Sequence, residues 1–226
     1  MCDYFNNYLA STGNRDKVMA IVQFLPMALA GPLDQIGCQT LSLSMSNLSS
    51  MADKYRAITR LSLLLGALSR QTLTGLLKPK GDIVNERLER LGHLFHVMFC
   101  VFDNNALLAG SGVTSTTLTS LGGCAVTCWF YVLLTGIVRE LYKMMNTKQS
   151  DEEHKHSCIT LVKLGCFIVF AMASLPKSTP QLLTDCSCPM VLPFNSVFRV
   201  ITPHRLLLSD STRGLLGLIA STCDFF

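Results

Sequence analysis

The chain has 226 residues, 49% of them hydrophobic and only 15% charged, with a formal net charge of +4 and a mean hydropathy of +0.38. Soluble domains charge about a quarter of their residues, so this composition argues against a disordered or acidic solvating chain. With 8% aromatic residues and no basic interleaving, it also argues against a nucleic-acid binder. The class that remains is a membrane-associated helical protein. Ten cysteines are present, but Cys100, Cys124, Cys128 and Cys166 sit inside apolar runs, where cysteine behaves as a small hydrophobe. Met1-Cys2-Asp3-Tyr4 has neither a basic stretch nor a following apolar core, so no secretory leader is expected and a reducing compartment is.

Asn14 is a good helix cap with Asp16 in the first turn, and Val18, Ile21, Val22, Leu25 and Leu29 follow helical spacing. Pro26 is expected to kink this helix and Gly31-Pro32 to end it. Residues 33–47 lack periodicity and read as a connector. A second helix is expected over 48–77, with Met51, Tyr55, Ile58, Leu61, Leu65, Leu68 and Leu76 on one side and Arg56, Arg60 and Arg70 on the other. Lys54 departs from that division and can snorkel. Between Asp53 and Lys80 six Lys/Arg face a single Asp, a local charge of +5 that exceeds the net charge of the whole chain. A basic amphipathic helix of this kind fits a membrane surface or a partner helix, and equally an ordinary bundle helix with a solvated basic face.

A third helix is expected over 83–102, its polarity falling from Glu86, Arg87, Glu89 and Arg90 to Phe95, Met98, Phe99 and Phe102. The 35 residues from Asn104 to Val138 carry no charge, and Leu118–Val138 has the roughly 20 residues that cross a bilayer. Small residues recur there every four positions: Ser111, Ser115, Thr119, Gly123 and Thr127, with a second row at Gly112, Thr116, Ser120, Cys124 and Cys128. Such rows suit close helix packing in lipid; the alternative is the lining of an aqueous path. Residues 143–156 are hydrophilic and read as a loop in water. The apolar stretch 157–176 is interrupted by Lys163, the region to 203 is broken by prolines, and Gly214–Ser221 is a last apolar patch.

Little in the sequence points to catalysis. His154-x-His156-x-Cys158 and Cys186-x-Cys188 lack zinc spacing, His93 and His96 have no third ligand in register, and Gly110-Ser111-Gly112 has neither a preceding strand nor a lysine. No GxSxG, HExxH or P-loop pattern occurs. No enzyme activity, cofactor or metal is expected. Cys223-Asp224-Phe225-Phe226 has the position of a prenylation box, but Asp224 is not aliphatic, and a plain apolar tail is the expectation.

Four segments then stand in a familiar order. Thr12-Gly13-Asn14-Arg15-Asp16-Lys17-Val18 with Ile21-Val22-Gln23-Phe24 is similar to the N-terminal signature of the peroxin 11 family. Tyr55–Leu77 resembles its amphipathic helix, Val101-Phe102-Asp103-Asn104 with Leu107-Leu108 its aromatic-Asp-Asn segment, and Gly214–Ser221 its ending. Asn14 stands where glycine is more usual, which resembles divergent kinetoplastid (glycosomal) members.

The resemblance implies an all-α protein of the peroxisomal or glycosomal membrane that elongates the organelle and promotes its fission. It would act by amphipathic-helix insertion and self-association, beside fission adaptors and a dynamin-like GTPase; a metabolite pore is the alternative. Residues 1–100 would form an amphipathic region at the cytosolic membrane surface, 101–142 the embedded region, 143–156 a polar loop and 157–226 C-terminal apolar helices. Lys54, Arg56, Arg60, Arg70, Lys78 and Lys80 would meet anionic phospholipid, each contributing about 1 kcal/mol near the surface. Tyr55, Ile58, Leu61, Leu65 and Leu68 would enter the acyl boundary. Arg139, Lys143 and Lys148 argue for a cytosolic face after Val138. That agrees with a cytosolic N-terminus if a hairpin of 91–112 with 118–138 precedes it, and the topology stays open.

Overall fold

The computed structural model describes residues 11–79, 81–146, 150–177 and 191–225, and every regular element among them is helical. Lys80, Lys148, Cys186, Cys188 and the first ten residues lie outside the described set. Two compact units divide the chain: residues 1–59 with 207–226, and residues 60–206. These units follow contacts between helices and cut across the regions drawn from polarity.

The first unit contains α1 (Thr12–Gln35), the N-terminal part of α2 (Gln39–Ala67) and α8 (Asp210–Thr222), which ends in a 3-10 turn, Cys223–Phe225. α1 runs on past the expected stop at Gly31-Pro32, with Pro26 and Pro32 both inside it. Pro32 removes the hydrogen bond to the Ala28 carbonyl, and at that turn α8 packs closest. A Cβ on Gly214 would fall 2.7 Å from the Met27 carbonyl carbon and still closer to the Ala28 nitrogen. One turn further, a Cβ on Gly217 would strike the Phe24 ring. Gly214, Gly217, Ala220 and Ser221 are the buried face of α8, a small-residue stripe that lets two helix backbones approach. Ser209 caps α8, its side chain accepting from the Thr212 N–H at 3.2 Å.

The expected connector 33–47 is mostly helical. Only Ile36–Cys38 interrupts α1 and α2, and Gly37 turns the chain there with φ of +83°. The serines that weakened the periodicity are absorbed by the backbone: Ser42 Oγ donates to the Ala30 carbonyl at 2.7 Å and Ser44 Oγ to the Thr40 carbonyl at 2.9 Å. The helix expected over 48–77 is two helices. α2 ends at Ala67, and Ser69, in an extended conformation, caps α3 (Arg70–Leu77) by accepting from the Thr72 N–H at 3.3 Å.

In the second unit α4 (Ile83–Gly110), α5 (Leu121–Asn146) and α6 (Asp151–Ser174) form an up-and-down bundle. The α4–α5 pairing is antiparallel: Arg139 Nε donates to Asn85 Oδ1 at 2.8 Å, Phe95 stacks on Tyr131 at 5.0 Å, and Gly92 lies against Thr135. α5 and α6 pair likewise, through Ser157 Oγ donating to Glu140 at 2.6 Å at one end and Trp129 against Phe167 and Phe170 further along. α7 (Val191–Ile201) drives Phe198, 1% exposed, into a core of Cys124, Cys128, Phe95, Met98, Phe99 and Phe102.

The loop expected over 143–156 is largely helix. α5 extends to Asn146, and a capping box starts α6: Ser150 accepts from the Glu153 N–H while Glu153 accepts from the Ser150 N–H. Seven described cysteines carry free thiols: Cys38, Cys100, Cys124, Cys128, Cys158, Cys166 and Cys223.

Candidate membrane-facing site

Among the described residues, three stretches are long and apolar enough to cross a bilayer: Gly13–Gln35, Thr116–Asn146 and Asp151–Ser174. The second contains the expected span 118–138, and the third extends the stretch 157–176 to the N-terminal side. The segment 91–112, expected to complete a hairpin, lies on α4 up to Gly110 and in the turn after it, and α4 is not among the three.

α2 divides its residues between two faces. On one, Ser49, Ala52, Ala57 and Ala67 are buried. Arg56 shares that face and spans to α1: Nε and Nη2 bind the Asp16 carboxylate at 2.9 and 3.2 Å, and Nη1 donates to Gln23 Oε1 at 2.7 Å. Its guanidinium also lies 5.5 Å from the centroid of the Phe24 ring. Gln23 in turn donates to Asp53 at 2.9 Å. In the second unit, Arg60 Nε pairs with Asp103 Oδ2 at 3.1 Å. The opposite face carries Leu48, Met51, Tyr55 and Ile58 in the first unit and Leu65 in the second, all exposed, Ile58 by 60% and Leu65 by 75%; Leu68, just past the end of α2, is exposed too.

The two sets of residues read as one lipid-binding surface therefore separate. Tyr55, Ile58, Leu65 and Leu68 point outward, and Leu61 is half-buried beside them. Lys54, Arg70 and Lys78 are exposed. Arg56, with a side chain only 13% exposed, is turned inward and bound to a carboxylate, and Arg60 is also turned to an acid. Hydration costs explain the arrangement: a bidentate arginine–carboxylate pair keeps its hydrogen bonds inside the protein, whereas each outward apolar side chain leaves about 1.5–3 kcal/mol of burial unrealised in water. Sequence reasoning missed Asp16 and Asp103 as the partners of these arginines, although both acids lie in segments that carried the family resemblance.

The small-residue row does not run along one helix. Ser111 follows the end of α4, Ser115 caps the 3-10 turn Thr116–Ser120 and Thr119 lies within it, and only Gly123 and Thr127 are on α5. The spacing of four was correct, but the turn at 111–120, with Gly112 at φ of +74°, breaks the face. Ser111, Ser115 and Thr119 are exposed. Thr127 is fully buried, donating to the Gly123 carbonyl at 3.0 Å and lying 3.3 Å from the Thr202 hydroxyl. The aqueous path suggested for Ser111, Ser115, Thr119 and Thr127 has no common face to line. Among the described residues, no group of three or more His, Cys, Asp or Glu side chains is arranged to hold a metal ion.

Helices as the only regular elements among the described residues, three candidate spans and the outward apolar face of α2 define the class as an integral or membrane-bound helical protein. The chain belongs to the family described as Peroxisomal biogenesis factor 11 (PEX11), which it matches over residues 2–224. Neither the curated proteins nor the solved structures gave a match. Membership associates the chain with the peroxisomal membrane and with membrane proliferation of that organelle, in a family of biogenesis factors rather than enzymes.

Proposed function

We propose that this protein remodels the peroxisomal membrane, in kinetoplastids the glycosomal membrane, by laying the outward face of α2 into one leaflet. The observation that carries the reading is the polarity of α2, with Arg56 and Arg60 held by Asp16 and Asp103 while Met51, Tyr55, Ile58 and Leu65 stay uncovered. A helix lying at the interface buries such a face in the acyl boundary and spreads the head groups above it, which favours curvature. Lys54, Arg70 and Lys78 are the exposed cations of the predicted set that would meet anionic head groups. Self-association would concentrate the wedges, and fission adaptors with a dynamin-like GTPase would act on the constricted membrane.

The test is tubulation of anionic vesicles by the full chain. Ile58→Asp with Leu65→Asp is expected to abolish tubulation while the protein stays helical. Tubulation at the original level in that variant would contradict the proposal.

A further inference from the structure

Within the second unit, the short helix α3 has no buried residue, although Arg90 ties its end to α4 by donating to the Leu76 carbonyl at 3.1 Å. α3 therefore covers the α4–α5 pair without sealing onto it, and a groove of about 790 Å³, open to the outside, lies between them. That volume is in the range of sites that take small organic ligands.

The antiparallel register orders the walls. Glu89 and Arg139 stand at one level, 3.7 Å apart, Gly92 and Thr135 form the middle, and His96 and Val132 lie at the far end. From Arg139 to Val132 is two helical turns, about 10 Å. Charge is concentrated at the first level. Arg139 is shared with Glu89 and Asn85, and exposed Lys78 adds a second cation, so the lining carries two cations against one anion. Away from that mouth the exposed wall is mainly apolar, from Leu76, Leu88, Val132 and the glycines, with polar groups from Gln71, Thr72, Thr135 and the imidazoles of His93 and His96. His93 Nε2 is buried and has no hydrogen-bond partner within the protein, an unusual state for a buried polar atom.

We propose that this groove binds an anionic amphiphile, with its acid group at Lys78 and Arg139, the first half of its apolar stem lying past Gly92 toward Val132, and the remainder leaving through the open side. A carboxylate or a phosphate satisfies the mouth equally well, so the ligand is a free fatty acid or an acidic phospholipid of the surrounding bilayer. The site is independent of the α2 wedge, and its test needs no bilayer.

The full chain in a neutral detergent is titrated with the fluorescent fatty acid cis-parinarate, followed by competition with oleate, methyl oleate and lysophosphatidic acid. One saturable site is expected, displaced by the acids and not by the methyl ester. Displacement by oleate alone assigns a free acid, and displacement by lysophosphatidic acid alone assigns a phospholipid. Gly75 lines the groove with open space around its Cβ position, so Gly75→Phe should fill the groove and weaken binding about tenfold, or 1.4 kcal/mol. Lys78→Gln, at an exposed position, is expected to weaken acid binding severalfold with the fold retained. No saturable site, equal displacement by the methyl ester, or unchanged affinity in both variants would overturn the proposal.

Discussion

The two units solve the same packing problem with opposite interiors. Residues 60–206 bury an aromatic and thiol core in which Phe198 meets Cys124, Cys128 and Phe102, and Trp129 meets Phe99, Phe167 and Phe170. The unit of residues 1–59 and 207–226 instead buries small residues and polar side chains around one buried ring, Phe24: glycines of α8 against α1, and the Arg56–Asp16–Gln23–Asp53 network. A core of the first kind is driven by water and survives in it. One of the second kind gains little from burying apolar surface and leaves that surface outside, as a helix assembly in lipid does. The contrast supports the proposal that α2 carries a membrane-active surface, in addition to the spans that α5 and α6 offer.

Substitutions can break that comparison, and the largest effect is expected in the aromatic core. Phe198→Ala should destabilise the second unit by about 4 kcal/mol, read as a lowered melting temperature of the detergent-solubilised protein. Gly214→Leu should cost about 3 kcal/mol by forcing α8 off α1, and protease cleavage near residues 207–209 should then accelerate. Arg56→Met should cost about 2 kcal/mol, since it strands Asp16 and Gln23. A double-mutant cycle with Asp16→Asn isolates that coupling, and a coupling near zero would show that the polar interior holds nothing together. The smallest change, about 1 kcal/mol, is expected for Ser150→Ala, which removes the cap of α6; amide exchange in the first turn of α6 would report it.

How much of this was legible in the sequence varies by element. The helical class, the charge-free stretch leading to α5 and the apolar α8 follow from period and composition alone. Helix ends depart from the local signal where a tertiary contact competes with it, as at Gly31-Pro32, where α1 continues and Gly31 lies against Ser211 of α8. They were also misplaced where a cap was overlooked, as at Ser150 with Glu153, whose spacing was visible in the chain. Arg56 and Arg60 share a face of α2 as their spacing indicates, whereas Arg70 stands on α3, and spacing does not give the direction of the shared face. Periodicity reports which residues lie together on a helix, whereas the direction of that face depends on Asp16 and Asp103, each some 40 positions away.

The central claim is that the uncovered face of α2 lies in lipid, and the single tryptophan, Trp129, makes a direct measurement possible. In a Trp129→Phe background, Ile58→Trp is compared with Glu152→Trp, at the exposed polar start of α6, on anionic vesicles containing brominated acyl chains. The account predicts a blue-shifted, strongly quenched emission at position 58 and weaker quenching at position 152. Emission from position 58 that stays red and unquenched on bound vesicles would contradict it.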